Sequence, residues 1–126
     1  MTLRPVSLEK LGELCGFDGT DRYVHSGMLA CCEWIYRDIE KVGILASTVA
    51  TYSTYDIRIT GHSLGAGCAA ILAILLRPRY PSIRVLAFSP PGCVMTKNLV
   101  DESKGYIRSY VLDCDIIPRL SLQSDT

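Results

Sequence analysis

Hydrophobic positions along the chain follow first a helical and then a strand-like spacing, which predicts a layered α/β fold. Apolar residues recur at intervals of four and three residues, at Met28, Cys32, Ile35, Ile39 and Val42. This spacing predicts an amphipathic helix that turns the stripe toward the core. Residues 64–76 are apolar on nearly every side and predict a second, buried helix. We expect that helix to need cover from elements outside this chain.

Three short apolar runs predict β-strands: a short buried strand at residues 56–60, and further strands at 83–88 and 106–113. Short helices are expected at 7–14 and 96–103, and residues 44–55 are compatible with either a helix or a loop. No strand is predicted ahead of residue 56. Helices that alternate with strands indicate a mostly parallel sheet with flanking helices, and functional residues gather beyond the carboxyl ends of such strands.

A serine in a tight turn follows the first predicted strand. Residues 61–65 read Gly-His-Ser-Leu-Gly and fit the pattern G-x-S-x-G, between a strand and a small-residue helix. This context is typical of a nucleophile elbow, in which Ser63 is the candidate nucleophile and the N–H of Leu64 a candidate oxyanion donor. Gly61 and Gly65 are expected to let strand and helix approach closely. The alternative is a Gly/Ser-rich turn that only ends a strand.

A serine nucleophile needs a base, usually a histidine, that a carboxylate orients. Asp115 comes just after the third predicted strand and suits the carboxylate, although it is alternatively a loop or cap residue. Asp113 is the rival, but it is expected to belong to the strand. The chain's histidines, His25 and His62, both precede the serine. We expect His62 to point away from Ser63 and His25 to hold its own loop through hydrogen bonds, so the base is not identified.

Composition narrows the class of protein. The chain has 126 residues, 48% of them hydrophobic, and its net charge is zero, which indicates one packed domain and no electrostatic footprint for nucleic acid. The longest apolar stretch, residues 68–76, is too short to cross a bilayer, and the N-terminus lacks the apolar core of a signal peptide. These features favour a globular, cytosol-facing domain.

The six cysteines contain no C-x-x-C pair and do not match the ligand spacing of a zinc site. We interpret them as reduced and mostly buried thiols. A redox or acylation site at Cys31 and Cys32 is the alternative.

Several segments resemble one known family. Residues 59–67, Ile-Thr-Gly-His-Ser-Leu-Gly-Ala-Gly, are similar to the elbow of class 3 (fungal-type) lipases, and more narrowly to that of the animal sn-1-specific diacylglycerol lipases. The further segments that resemble this branch are residues 25–28, 75–81, 88–92 and 111–119. The resemblance implies an α/β-hydrolase fold and places Asp115 as the catalytic aspartate. It also implies that residues 1–126 form a partial lipase domain, without the early oxyanion strand and without the family's histidine after the aspartate segment.

The function implied by this resemblance is hydrolysis of the sn-1 ester of diacylglycerol, which gives a 2-monoacylglycerol and a fatty acid. The implied partner is a lipid substrate at a membrane surface, and the complete enzyme is expected in the plasma membrane with a cytosol-facing catalytic domain. No organic cofactor is needed; the family implies calcium stimulation, although no calcium-binding loop can be read here. The alternatives are another esterase or thioesterase of the same fold, or a non-catalytic fragment that binds lipid or a partner lipase.

Overall fold

The computed structural model describes residues 5–92 and 94–111. Strands β3, β4 and β5 pair in parallel, in that order, and form a three-stranded sheet, while β1 and β2 form a separate antiparallel pair. The predicted α/β architecture with a parallel sheet is confirmed. In chain order the elements are β1 (Pro5–Ser7), α1 (Glu9–Cys15), β2 (Tyr23–His25), α2 (Ser26–Val42), α3 (Ile44–Thr51), β3 (Arg58–His62), α4 (Leu64–Leu76), β4 (Arg84–Phe88), α5 (Lys97–Ser103) and β5 (Ile107–Tyr110).

The small β1–β2 sheet overturns the expectation that no strand precedes residue 56. The segment before α5 is hydrogen-bonded to β2 of this sheet. The N–H of His25 donates to the carbonyl of Val94 at 2.8 Å, and the N–H of Thr96 donates to the carbonyl of Tyr23 at 3.0 Å. Each of its strands has only three residues, too few for an alternating pattern to be visible in the sequence.

Helix α4 is the centre of the core. Ten of its 13 residues are buried, because the helix packs against β3 and β4 on one side and against α2 and α1 on the other. The expectation that α4 needs cover from outside this chain is therefore wrong. Its first half consists mostly of glycine and alanine, whose small side chains let the neighbouring elements approach closely.

Helix α2 presents the predicted stripe only in part. Met28 and Cys32 are buried, and Ile35 and Ile39 pack against the same core. Val42, however, is 66% exposed, since the last turn of α2 runs past the core before the chain turns at Gly43, whose φ is 72°. The ambiguous segment that follows begins with helix α3.

The parallel sheet is covered on one face only among the described residues. Ile59, Val85 and Ala87 face α4 and the core, whereas alternate positions on β3 to β5, such as Phe88 and Tyr110, are exposed. The prediction of a buried strand at 56–60 is thus wrong in both bounds and burial: β3 spans residues 58–62, and none of its residues is fully buried. It lies at an edge of the described sheet.

Candidate active site

Ser63 occupies the single position between the end of β3 and the start of α4. Its φ is 56° and its ψ is −119°, a conformation with positive φ that non-glycine residues rarely adopt. Two neighbours hold it there: its N–H donates to the carbonyl of Phe88 at 2.9 Å, and its own carbonyl accepts the N–H of Ala66 at 2.9 Å. The strand–turn–helix geometry expected of a nucleophile elbow is present at this serine.

Gly61 explains how strand and helix come so close. A Cβ on this residue would overlap the carbonyl oxygen of Gly65 and lie 2.8 Å from the nitrogen of Ala66, so only glycine fits. Gly65 does not share this role, because a Cβ placed on it would meet no atom of the described residues within 4 Å. Among the described residues, the close approach of strand and helix therefore requires glycine at Gly61 and does not require it at Gly65.

The backbone N–H of Leu64 is placed to act as a hydrogen-bond donor beside the serine. The hydrogen bonds of α4 begin with the N–H of Ala66 to the carbonyl of Ser63, so the N–H groups of Leu64 and Gly65 belong to the orphan donors of the helix N-terminus. This end of a helix carries partial positive charge. The arrangement fits half of an oxyanion hole for a negatively charged intermediate at Ser63.

A groove of about 720 Å³ lies at the carboxyl end of the sheet, and His62, the residue before Ser63, is part of its lining. Phe88 and Tyr110 form its apolar wall; they face each other in register and their rings stack with centroids 5.1 Å apart. Sequence reasoning missed both residues, although their places as the last residues of two adjacent strands were a usable signal. The residues that line the groove are Thr60, Gly61, His62, Phe88, Ser89, Tyr110 and Val111.

Neither histidine is joined to Ser63 by a hydrogen bond in the part of the chain that the structure describes. His25 is only 7% exposed, and its Nδ1 accepts the N–H of Met28 at 3.3 Å, which caps helix α2. The expected structural role of His25 is therefore confirmed. Its Nε2 is buried and has no hydrogen-bond partner among the described residues. His62 is exposed and lines the groove.

Asp115, the candidate catalytic acid, and its rival Asp113 lie outside the described residues. Within residues 5–92 and 94–111, no group of three or more histidine, cysteine or acidic side chains could hold a metal ion. The described residues therefore offer no cluster of side chains that fits the calcium implied by the family resemblance. No helix in the same ranges is long and apolar enough to cross a membrane.

The sequence of the whole chain decides the family. The family model described as lipase (class 3) matches residues 4–124. The chain belongs to the class 3 lipase family. Its similarity to diacylglycerol lipase-beta of Mus musculus is 41% identity over 107 residues, 85% of this chain and 16% of that protein. The chain is also 37% identical to diacylglycerol lipase-alpha of Homo sapiens over 103 residues, which are 78% of this chain and 10% of that protein.

Solved lipases share the fold. The lipase of Rhizomucor miehei, in its propeptide complex, superposes with a TM-score of 0.69 at 25% identity, over 95% of this chain and 38% of that one. The lipase of Rhizopus microsporus var. chinensis superposes with a TM-score of 0.71 at 17% identity, over 88% of this chain and 38% of that one. The predicted α/β-hydrolase fold is confirmed, and the chain spans well under half the length of each of these relatives.

Proposed function

We propose that this chain carries the nucleophile of a serine lipase and that the protein of which it is part hydrolyses the sn-1 ester of diacylglycerol. The observation that carries the proposal is the positive φ of Ser63 at the junction of β3 and α4. Backbone strain of this kind persists only where the surrounding structure enforces it, and it clusters at active sites. The substrate class is inferred from relatives that are named diacylglycerol lipases.

In the proposed mechanism, the Oγ of Ser63 attacks the ester carbonyl while a general base takes its proton. The N–H of Leu64 donates to the oxyanion that forms on the carbonyl oxygen. Collapse of this intermediate releases the 2-monoacylglycerol, which takes the proton from the base, and leaves an acyl-enzyme. Water then hydrolyses the acyl-enzyme and releases the fatty acid. The groove beside Phe88 and Tyr110 supplies an apolar surface for an acyl chain.

The setting proposed for this reaction is a membrane surface, since diacylglycerol is a membrane lipid. The resemblance to diacylglycerol lipases supports a plasma-membrane enzyme whose catalytic domain faces the cytosol. Residues 1–126 then represent part of that domain, and the catalytic base is a histidine that lies beyond them in the parent protein. Two observations support this: neither His25 nor His62 bonds to Ser63 among the described residues, and neither follows Asp115 in sequence.

The serine is tested in the chain extended by the sequence that continues it in the parent protein. We expect a fluorophosphonate probe to label this extended chain, and the Ser63→Ala variant to lose both labelling and hydrolysis of diacylglycerol. Ser89→Ala is the matched control for labelling, because Ser89 also has a positive φ and directly follows the adjacent strand β4. Labelling that survives Ser63→Ala would refute the assignment, and faster turnover of acyl thioesters than of diacylglycerol would favour a thioesterase.

The role proposed for Asp115 has its own test in the same extended chain. Asp115→Asn should lower kcat by on the order of 10⁴, because the base loses its correct tautomer and its charge partner. Asp113→Asn should cost far less, and it serves as the control for removing a nearby negative charge. Steady-state kinetics with diacylglycerol measure both variants. The opposite ranking would assign the acid to Asp113.

A further inference from the structure

Three of the described cysteines, Cys31, Cys32 and Cys68, lie on helices α2 and α4, which pack against each other. The thiol of Cys32 donates to the carbonyl oxygen of Cys68 at 3.1 Å, so α2 lies directly against the second turn of α4. The helices are also close one turn earlier on α2, since a Cβ on Gly67, the residue before Cys68, would lie 2.8 Å from the Sδ of Met28. The diacylglycerol lipase activity proposed above uses none of these thiols.

The three thiols differ in access to solvent. Cys32 is fully buried, whereas Cys31 is exposed. Cys68 is partly exposed, and it is the only residue between Ala66 and Leu76 that is not buried. Adjacent helix positions point about 100° apart, so Cys32 faces into the helix contact while Cys31 lies toward its margin. Cys31 and Cys68 therefore share the solvent-facing edge of the α2–α4 contact.

Charge effects agree with this proximity. Burial is the main cause that raises the pKa of the Cys68 thiol, and a negative charge on Cys31 raises it further. Burial raises the pKa of Cys32 far more strongly. Cys32 has no access to solvent, and a thiol that is both fully buried and protonated is unreactive toward oxidants. Cys68 keeps partial access to solvent, so it remains available to react with Cys31.

We propose that Cys31 and Cys68 are an oxidation site, at which a peroxide converts two thiols to a reversible disulfide. In the first step the thiolate of Cys31 attacks one oxygen of hydrogen peroxide, the O–O bond breaks, and Cys31 becomes a sulfenic acid as the leaving hydroxide takes a proton to form water. In the second step Cys68 loses its proton and its thiolate attacks the sulfur of Cys31; the S–S bond forms, the S–O bond breaks, and the departing hydroxide combines with that proton to form water. Two thiols are oxidised, and the peroxide is reduced to two waters.

The disulfide would tie α2 to α4 just beyond the turn that holds Ser63. A covalent link here restrains the start of α4, to which the carbonyl of Ser63 is hydrogen-bonded. The inference does not rest on lipase activity, because it concerns only the packing of the two helices and the access of their thiols.

The experiment uses the 126-residue chain, fully reduced and then treated with hydrogen peroxide, with free thiols blocked afterwards. Peptide mapping by mass spectrometry should find residues 31 and 68 cross-linked, with reversal by dithiothreitol. Cys31 and Cys32 fall on one peptide, so variants identify the partner: Cys31→Ser and Cys68→Ser should lose the link, and Cys32→Ala, the matched control, should keep it. A parallel sample in urea should lose it, because closing the long loop between α2 and α4 is unfavourable in an unfolded chain.

Three results would overturn the proposal. The first is a cross-link that survives Cys31→Ser and disappears in Cys32→Ala, which would assign the site to the buried thiol. The second is the same mixture of pairings with and without urea, which would show that the folded helices do not select the pair. The third is oxidation of Cys31 to a sulfinic acid without any link to Cys68.

Discussion

Ser63 keeps a backbone conformation that costs about 1–3 kcal/mol for a residue with a Cβ. A glycine would remove that strain, but it would also remove the hydroxyl. Phe88 on β4 and Ala66 on α4 fix the two peptide groups of Ser63, and this makes the position a rigid one at which a reactive group can be held. The proposed role of Ser63 as nucleophile accounts for a serine at this strained position, because glycine would supply no hydroxyl.

Gly61 is the residue on which this turn depends, and Gly61→Ala tests it. The added Cβ meets backbone atoms of Gly65 and Ala66, which cannot rotate away as a flexible side chain would. We expect a loss of about 3 kcal/mol in the free energy of unfolding, the upper end of what overpacking costs. Urea denaturation of the 126-residue chain, followed by circular dichroism, measures the change.

Gly65→Ala is the matched control for that variant. It adds the same methyl group in the first turn of α4, where no atom outside the neighbouring residues and that helix's own backbone lies within 4 Å. Alanine is also favoured over glycine in a helix by about 0.5–1 kcal/mol. The control should therefore be neutral or slightly stabilising. Equal losses in both variants would show that the elbow does not force strand and helix together at Gly61.

At the scale of helices and strands, the sequence predicted the elements that are long enough to show a repeating pattern of apolar side chains. The 3.6-residue period of α2 and the apolar run of α4 placed both helices, and β-branched runs placed the three parallel strands within a few residues. Strands β1 and β2 were not predicted, because three residues are too few to show an alternation of apolar and polar side chains. Val42 was misplaced because the period continues to the end of α2 while the core beneath it does not.

The candidate site was predictable to a similar degree. Ser63, Gly61 and Leu64 follow from a local pattern of five residues, since a turn between adjacent elements is encoded in contiguous sequence. The groove wall of Phe88 and Tyr110 depends on which strands become neighbours and in what register, information that no short segment contains. The cover of α4 was misjudged for the same reason, because α1, α2 and the sheet reach it from distant parts of the chain.

At the scale of the molecule, one face of the parallel sheet is covered by α4, while the other face is uncovered among the described residues. Helix α4 is enclosed, so the chain has a core of its own and α4 does not need the outside cover that its apolar sequence predicted. The opposite face of β3 to β5 leaves Phe88 and Tyr110 partly exposed among the described residues. A chain with this arrangement can place Ser63 correctly and still lack the rest of a catalytic apparatus.

Because the fold can place Ser63 without supplying the other catalytic groups, we predict that the 126-residue chain folds cooperatively but hydrolyses esters very slowly. Losing the base of a serine triad costs on the order of 10⁶ in kcat, which corresponds to about 8 kcal/mol of transition-state stabilisation. The single oxyanion donor proposed at Leu64 cannot compensate for a loss of this size. A thermal unfolding scan and hydrolysis of a short nitrophenyl ester, compared with the extended chain, measure the two halves of the prediction.

Ser63-dependent turnover at the rate of the extended chain would contradict this prediction and would point to His25, whose buried Nε2 has no partner among the described residues. In that case His25→Gln should abolish the turnover, whereas a His25→Gln variant that stays active would exclude this histidine as the base as well.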